Sequence, residues 1–216
     1  MNLETARSQM IEQQVRVWEV LDPRVLEIMS QVPRERFVPE ALAEVAFADN
    51  NIPLAHGQCM MAPCVEGRLL QALGVSGDDT ILEVGTGSGF LTACFARLGQ
   101  SVLSLDYYED FTNDAQKKLK TLGVNNVTLE TQDATTLSVK KKFDVIAITG
   151  STPQKQHNFY EALKVGGRMF VIEGEGQPME ARLVTRLSDS EFSTESLFET
   201  SVPALINTET KPAFVF

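Results

Sequence analysis

From Val65 onward, short apolar runs alternate with amphipathic helical stretches, and this alternation limits the possible folds more than any other feature of the chain. A helix from Val65 to about Leu73 leads through Gly74 and Gly77 into the run Thr80-Ile81-Leu82-Glu83-Val84. The pattern then predicts a helix over 88–98, strands over 101–105, 127–131 and 143–148, and a helix over 109–122 between the first two of these. A helix over 155–164 and a strand over 168–173 follow. Apolar strands separated by helices form a mainly parallel sheet covered on both faces. Right-handed crossovers make that sheet doubly wound. The tail, 181–216, is richer in strand signals and adds an antiparallel edge pair, which brings the expected sheet to seven strands.

The first sixty-odd residues read differently, as helices joined by proline turns. Asp22-Pro23 is a helix start, with an acid as cap and proline in the first turn, and Val25, Leu26, Ile28 and Met29 follow at helical spacing. Val32-Pro33 and Val38-Pro39 break the chain, because a residue before proline avoids the helical region. A short helix is expected from Glu40 to Phe47, and an aperiodic loop from Asn50 to Pro63. Trp18 is expected to anchor the first helix. With 216 residues the chain has room for one full core. We therefore expect a single domain, with 1–64 as a helical N-terminal lid and 65–216 as the α/β body.

Directly after the first long strand stands Gly85-Thr86-Gly87-Ser88-Gly89-Phe90, leading into a helix. Glycines here let the backbone turn sharply and pass close to a ligand, which in open α/β sheets lies beyond the carboxyl ends of the strands. Asp106 closes the second strand, where a carboxylate can accept from both ribose hydroxyls of an adenosine. Two such elements in one strand-loop-helix-strand unit form a strong nucleoside signal. Dinucleotide binding fits poorly, because Phe90 stands where a small residue must let the helix pack on the strand. Phosphate loops fit poorly as well, since no Gly-Lys-Ser/Thr follows.

Charge and cysteine content close off other classes. A formal net charge of -10 repels phosphate backbones and anionic lipid, which argues against nucleic acid and membrane as partners. The dense cationic run Lys140-Lys141-Lys142 reads as a solvated loop. Cys59, Cys64 and Cys94 with His56 and His157 assemble no familiar metal pattern, and reduced thiols are the simplest account. Cys94 is expected in the core, and Cys64 shows no visible partner. Without basic and apolar leader regions at Met1-Asn2-Leu3, or a membrane-length apolar run, the expected location is cytoplasmic.

The G-x-G-x-G spacing, with Glu83 two residues ahead, resembles the first motif of S-adenosylmethionine methyltransferases. That resemblance implies a Rossmann-like methyltransferase fold with S-adenosylmethionine as cofactor and S-adenosylhomocysteine as product. It implies that Glu83 helps hold the methionine amino end, that Gly85, Thr86, Gly87, Ser88 and Gly89 form the cofactor loop, and that Asp106 holds the ribose. It also implies that Asp133 accepts the adenine amino hydrogen while the Ala134 N–H meets a ring nitrogen. Alone, Asp133 would read as an ordinary turn residue, and Tyr107 is open between the adenine face and no role.

The resemblance narrows to the protein-L-isoaspartate O-methyltransferases over nearly the whole chain. Val32-Pro33-Arg34-Glu35-Arg36-Phe37-Val38-Pro39 is similar to the family's N-terminal signature, and Phe47 to Gln58 to its active-site loop. Leu163-Lys164-Val165-Gly166-Gly167-Arg168 matches too. The implied substrate loop is His56, Gly57, Gln58, Cys59, Met60, Met61 and Pro63. Here the family reads Gly-Gln-Thr-Ile-Ser-x-Pro, so Cys59 replaces the threonine and Met61 the active-site serine. A thioether donates no hydrogen bond. The resemblance therefore implies an isoaspartyl protein or peptide as methyl acceptor and a role in protein repair. The Met61 replacement leaves open a small-molecule acceptor, or a non-catalytic cofactor-binding protein, and no catalytic residue is assigned.

Overall fold

The computed structural model describes residues 2–137, 142–174 and 176–208. At the N-terminus, Asn2 caps α1 (Leu3–Met10) by accepting from the N–H groups of Glu4 and Thr5. A wider turn (Ile11–Val15) and a 3-10 turn (Arg16–Trp18) end at Glu19, whose φ is 60°. As expected, Asp22 and Pro23 open α2 (Pro23–Gln31), which stops at Val32 ahead of Pro33. The helix expected after Glu40 is instead a 3-10 stretch, Glu40–Val45, with no side-chain cap. Trp18 does not anchor α1: the reversal at Glu19 leaves it 39% exposed, edge-on to the Phe198 ring at 6.1 Å.

The stretch expected as an aperiodic loop forms a miniature hairpin, β1 (Ile52–Pro53) against β2 (Cys59–Met60). Ile52 faces Met60 across it, and burial of both side chains supplies the register that no periodicity announces. The next helix, α3 (Pro63–Leu73), starts two residues earlier than expected, with Pro63 in its first turn. Gly67 on α3 lets the N-terminal segment pack close. A Cβ there would stand 3.0 Å from Val15 and 3.1 Å from Val20.

The body follows the expected order: β3 (Thr80–Val84), α4 (Phe90–Leu98), β4 (Ser101–Asp106), α5 (Glu109–Thr121), β5 (Val127–Thr131) and β6 (Phe143–Thr152). After these come α6 (His157–Ala162), β7 (Leu163–Glu173), β8 (Met179–Arg186) and β9 (Phe192–Thr200). The last helix is shorter than expected and β7 longer, because Leu163 already pairs with Phe143. Gly166 and Gly167 then bend the strand, the latter where a Cβ would meet the Asp144 carbonyl at 2.9 Å. Lys140 and Lys141 lie outside the described residues.

One seven-stranded sheet runs β5-β4-β3-β6-β7-β8-β9. The strands β3 to β7 are parallel, and β8 and β9 add the expected antiparallel edge. Chain order reverses at β3, which lies between β4 and β6, and ligands in open α/β sheets settle at such a point. One face of the sheet carries α3, α4 and the N-terminal residues in a continuous apolar core, and the other packs α6. No helix among the described residues is long and apolar enough to cross a membrane.

Candidate active site

The glycine loop after β3 is shaped by close neighbours. Gly85 has φ 101°, and a Cβ on it would stand 2.3 Å from the Thr149 hydroxyl. That hydroxyl donates to the carbonyls of Val84 at 2.9 Å and Gly85 at 2.7 Å, clamping the loop to β6. The N–H groups of Gly85 and Thr86 donate to the Leu105 carbonyl, which ties the loop to β4 as well. Gly89, at φ 85°, allows α5 to approach, since a Cβ there would meet that of Ala115 at 2.9 Å. Phe90 is fully buried and lies edge-on to Phe37 at 5.7 Å, so its bulk fills the interface with the N-terminal segment.

Asp106 ends β4 beside this loop. One carboxyl oxygen accepts from the Gly87 N–H at 2.8 Å and the other from the Tyr108 N–H at 3.0 Å. Burial raises its pKa, with the backbone donors pulling the other way. Glu83 is fully buried behind the loop, with Oε2 accepting from Thr92 at 2.5 Å and Ser104 at 2.6 Å. Burial pushes its carboxyl up to about 8, and Oε1 has no hydrogen-bond partner. Thr86 uses its hydroxyl on Ser104 at 2.6 Å, bracing this network.

These groups border two adjoining cavities. The larger, about 680 Å³ counting space open to solvent, brings together Gly85, Gly87, Asp106, Tyr107, Tyr108, Asp133 and Ala134 with Gln58 and Cys59 of the hairpin. The smaller, about 300 Å³, is bordered by Cys59, Met60, Met61, Glu66, Glu83, Thr86 and Ser88. Cys59 touches both, at the junction. Three of the expected loop residues border neither: His56, Gly57 and Pro63. His56 and Gly57 are exposed, whereas Pro63 is buried as the start of α3.

Met61 is 3% exposed, and its carbonyl accepts from Arg34 at 2.7 Å. Arg34 is itself fully buried: it donates to the Ala46 carbonyl at 2.8 Å, pairs with Glu66, and lies over the Phe90 ring at 4.9 Å. Arg34 stands in the N-terminal signature with no task assigned by the sequence pattern, and nothing local points to Glu66. Tyr107 is 48% exposed at the cavity rim, while Tyr108 is the more buried of the two and supports Asp106 through its N–H. The far wall was missed altogether. Residues 202–206 run alongside the end of β6, with Ser151 bridged to Ala204, and place Leu205 and Ile206 on the cavity. Asn207 then donates to Asp133 at 2.7 Å, while Thr135 donates to the other oxygen of that carboxylate from N–H and hydroxyl.

Cys94 is buried, as expected. Cys64, expected without a partner, lies beside Asp49, and burial first, then that acid, pushes its thiol up to about 12. Burial, helped by Glu66, pushes the Cys59 thiol up to about 11. Such thiols stay protonated at neutral pH.

The sequence model of the protein-L-isoaspartate(D-aspartate) O-methyltransferase family matches residues 5–209. The chain belongs to that family. A protein-L-isoaspartate O-methyltransferase of Syntrophus aciditrophicus is 37% identical over 194 residues, spanning 88% of this chain and 89% of the relative. One from Rhodopseudomonas palustris is 32% identical over 202 residues, 93% of each. Among solved structures, a Plasmodium falciparum chain described as a protein-L-isoaspartate O-methyltransferase, in complex with S-adenosyl-L-homocysteine, superposes with TM-score 0.78. It covers 95% of this chain and 98% of its own at 19% identity, which speaks for the fold. A protein-L-isoaspartate O-methyltransferase of this family is an S-adenosylmethionine-dependent O-methyltransferase. None of these likenesses favours a non-catalytic protein or a small-molecule acceptor.

Proposed function

We propose that this chain methylates the carboxylate of isoaspartyl residues in proteins or peptides, and that the two adjoining cavities hold its cofactor. The observation that carries the reading is Cys59. The acceptor-loop residue sits where the cavity holding Asp106 meets the one holding Glu83, so the loop faces the middle of the proposed site. The buried polar groups fit the cofactor. Glu83 keeps an oxygen without a partner, as a cationic amino group requires, and Asp106 presents its carboxylate at the cavity wall.

In this reading Asp106 holds the ribose and Glu83 the amino end. Gly85, Gly87 and Ser88 let the backbone lie close to the ligand. Asp133 would accept from the adenine amino group, Ala134 would offer its N–H to the ring, and Tyr107 and Tyr108 line that end. S-adenosylmethionine, when bound, supplies an electrophilic methyl group on a sulfonium sulfur. The acceptor carboxylate is already ionised at neutral pH, so no residue need remove a proton. What remains for the chain is alignment and exclusion of water. Gln58, Cys59, Leu205 and Ile206 wall the acceptor side. Loss of the serine hydroxyl at Met61 is tolerable on this account, because no proton has to move at that position; Met61 itself borders the smaller cavity.

The test is transfer of labelled methyl from S-adenosylmethionine to an isoaspartyl peptide, with its aspartyl twin as control. Base-labile label on the isoaspartyl peptide alone is expected. A folded protein that binds the cofactor and labels neither peptide contradicts the proposal.

A further inference from the structure

His56 touches neither cavity, yet it makes the most elaborate contacts of any residue in the acceptor loop. Its ring stacks on Tyr108 at 3.9 Å with an interplanar angle of 7°, and meets Phe111 edge-on at 5.5 Å. Its Nε2 is hydrogen-bonded to Asp110 at 2.8 Å. The backbone of His56 is left-handed, φ 58°, a conformation that a non-glycine residue keeps only where its surroundings enforce it.

The three partners belong to the segment that follows Asp106. Tyr108 gives its N–H to Asp106, and both Tyr108 and Phe111 border the larger cavity. On the other side, the hydrogen bonds of the tip Leu54–Gln58 are otherwise internal. Leu54 N–H donates to the Gln58 carbonyl, Gln58 N–H to the Ala55 carbonyl, and the Gln58 side chain to the His56 carbonyl. Among the described residues, the contact with Asp110 is the tip's one hydrogen bond to anything outside the loop. The tip lies over the cofactor loop, for a Cβ on Gly87 would come 3.6 Å from Leu54.

We infer that His56 is a positioning residue that latches the acceptor loop onto the rim of the cofactor cavity, so that closing over the cofactor and placing Gln58 and Cys59 are one event. Apart from Leu54, which packs on the edge of the core, the tip is joined to the rim by the His56 ring and a single hydrogen bond, both accessible to water, and can release without unfolding the body. The inference rests on the cofactor reading above and goes beyond it, since it concerns a residue outside both cavities.

The full chain is tested with S-adenosylhomocysteine as probe, in the wild type and in His56→Gly and His56→Asn. Glycine accepts the left-handed backbone and removes the ring. Asparagine tolerates that backbone and keeps a hydrogen-bond donor without the stack. Loss of an aromatic stack plus an exposed hydrogen bond corresponds to release of the probe about tenfold faster in His56→Gly, with an intermediate rate in His56→Asn. The probe should shield the Leu54–Gln58 tip from protease in the wild type but not in His56→Gly. The melting temperature of the probe-free proteins should fall by no more than about 6 °C, the size of the same lost contacts. A merely structural residue would shift the melting temperature and leave the release rate alone. Wild-type release rate and equal protease protection in His56→Gly overturn the latch. Failure of the wild type to bind the probe at all overturns the cofactor reading together with it.

Discussion

Replacing Glu83 with glutamine isolates the titration of a buried acid. The side chain is fully buried, and burial outweighs the hydroxyls of Ser104 and Thr92 to push its carboxyl up to about 8, with Asp106 and Glu66 adding repulsion. In the unfolded chain the same group titrates near its ordinary value of about 4.3. Between these values the folded protein holds a proton that the unfolded chain has lost. Stability is therefore fully present below the unfolded pKa and falls as pH rises through the window. At about 1.4 kcal/mol per pH unit the effect is at most about 5 kcal/mol, and relaxation with water penetration leaves about half of that. For a chain of this size that is a drop of roughly 5–10 °C in melting temperature between pH 5 and pH 8. Glutamine keeps the shape and the acceptor for Thr92 and Ser104 but removes the titration. Melting curves by circular dichroism should coincide near pH 5 and separate by pH 8, with Glu83→Gln the more stable. Glu66, pushed up to about 7 by burial against the opposing pull of Arg34, titrates in both proteins and repels Glu83, so the difference between them reports Glu83 together with its coupling to Glu66. Calorimetry in buffers of different ionisation enthalpy should also show proton release when S-adenosylhomocysteine binds the wild type near pH 7, and none with the variant. Parallel pH profiles for the two proteins would refute the reasoning.

Two further variants probe the frame around the site. Asp106→Asn sets an amide NH₂ against one of the two backbone N–H donors, from Gly87 and Tyr108, so S-adenosylhomocysteine affinity by calorimetry should fall at least about tenfold, worth roughly 1–3 kcal/mol. Unchanged affinity would mean that this carboxylate does not face the ligand. Arg34→Met leaves Glu66 buried and unpaired and should cost about 3–5 kcal/mol in denaturant unfolding, most of it recovered in the Arg34→Met/Glu66→Met double variant. A double variant no more stable than Arg34→Met alone would show that the bonds from Arg34 to the Ala46 and Met61 carbonyls dominate.

The parts of the site that could be read from the chain are those whose signal is local. The alternation from Thr80 onward fixed the order of strands and helices, because each element must hide its own apolar face. The glycine loop and the acid after the second long strand stood out because a sharp turn at a strand end needs Gly85, and Asp106 sits at the matching end of the next strand. The hairpin of Ile52 and Met60 was not legible: two-residue strands carry no period, and burial alone sets their register. The early start of β7 was hidden for a similar reason, since Leu163 belongs to a helical pattern until Phe143 offers it a partner.

What the sequence by itself determined is the doubly wound body, a candidate nucleoside site at its strand ends, and the exchange of hydroxyls for sulfur at Cys59 and Met61. Tertiary structure decided which groups meet across long separations. Arg34 reaches Glu66 and the Met61 carbonyl, His56 reaches Tyr108 and Asp110, and Asn207 reaches Asp133. None of these pairs has a spacing rule, because each depends on where the sheet delivers its strand ends and on which charges the core leaves without water.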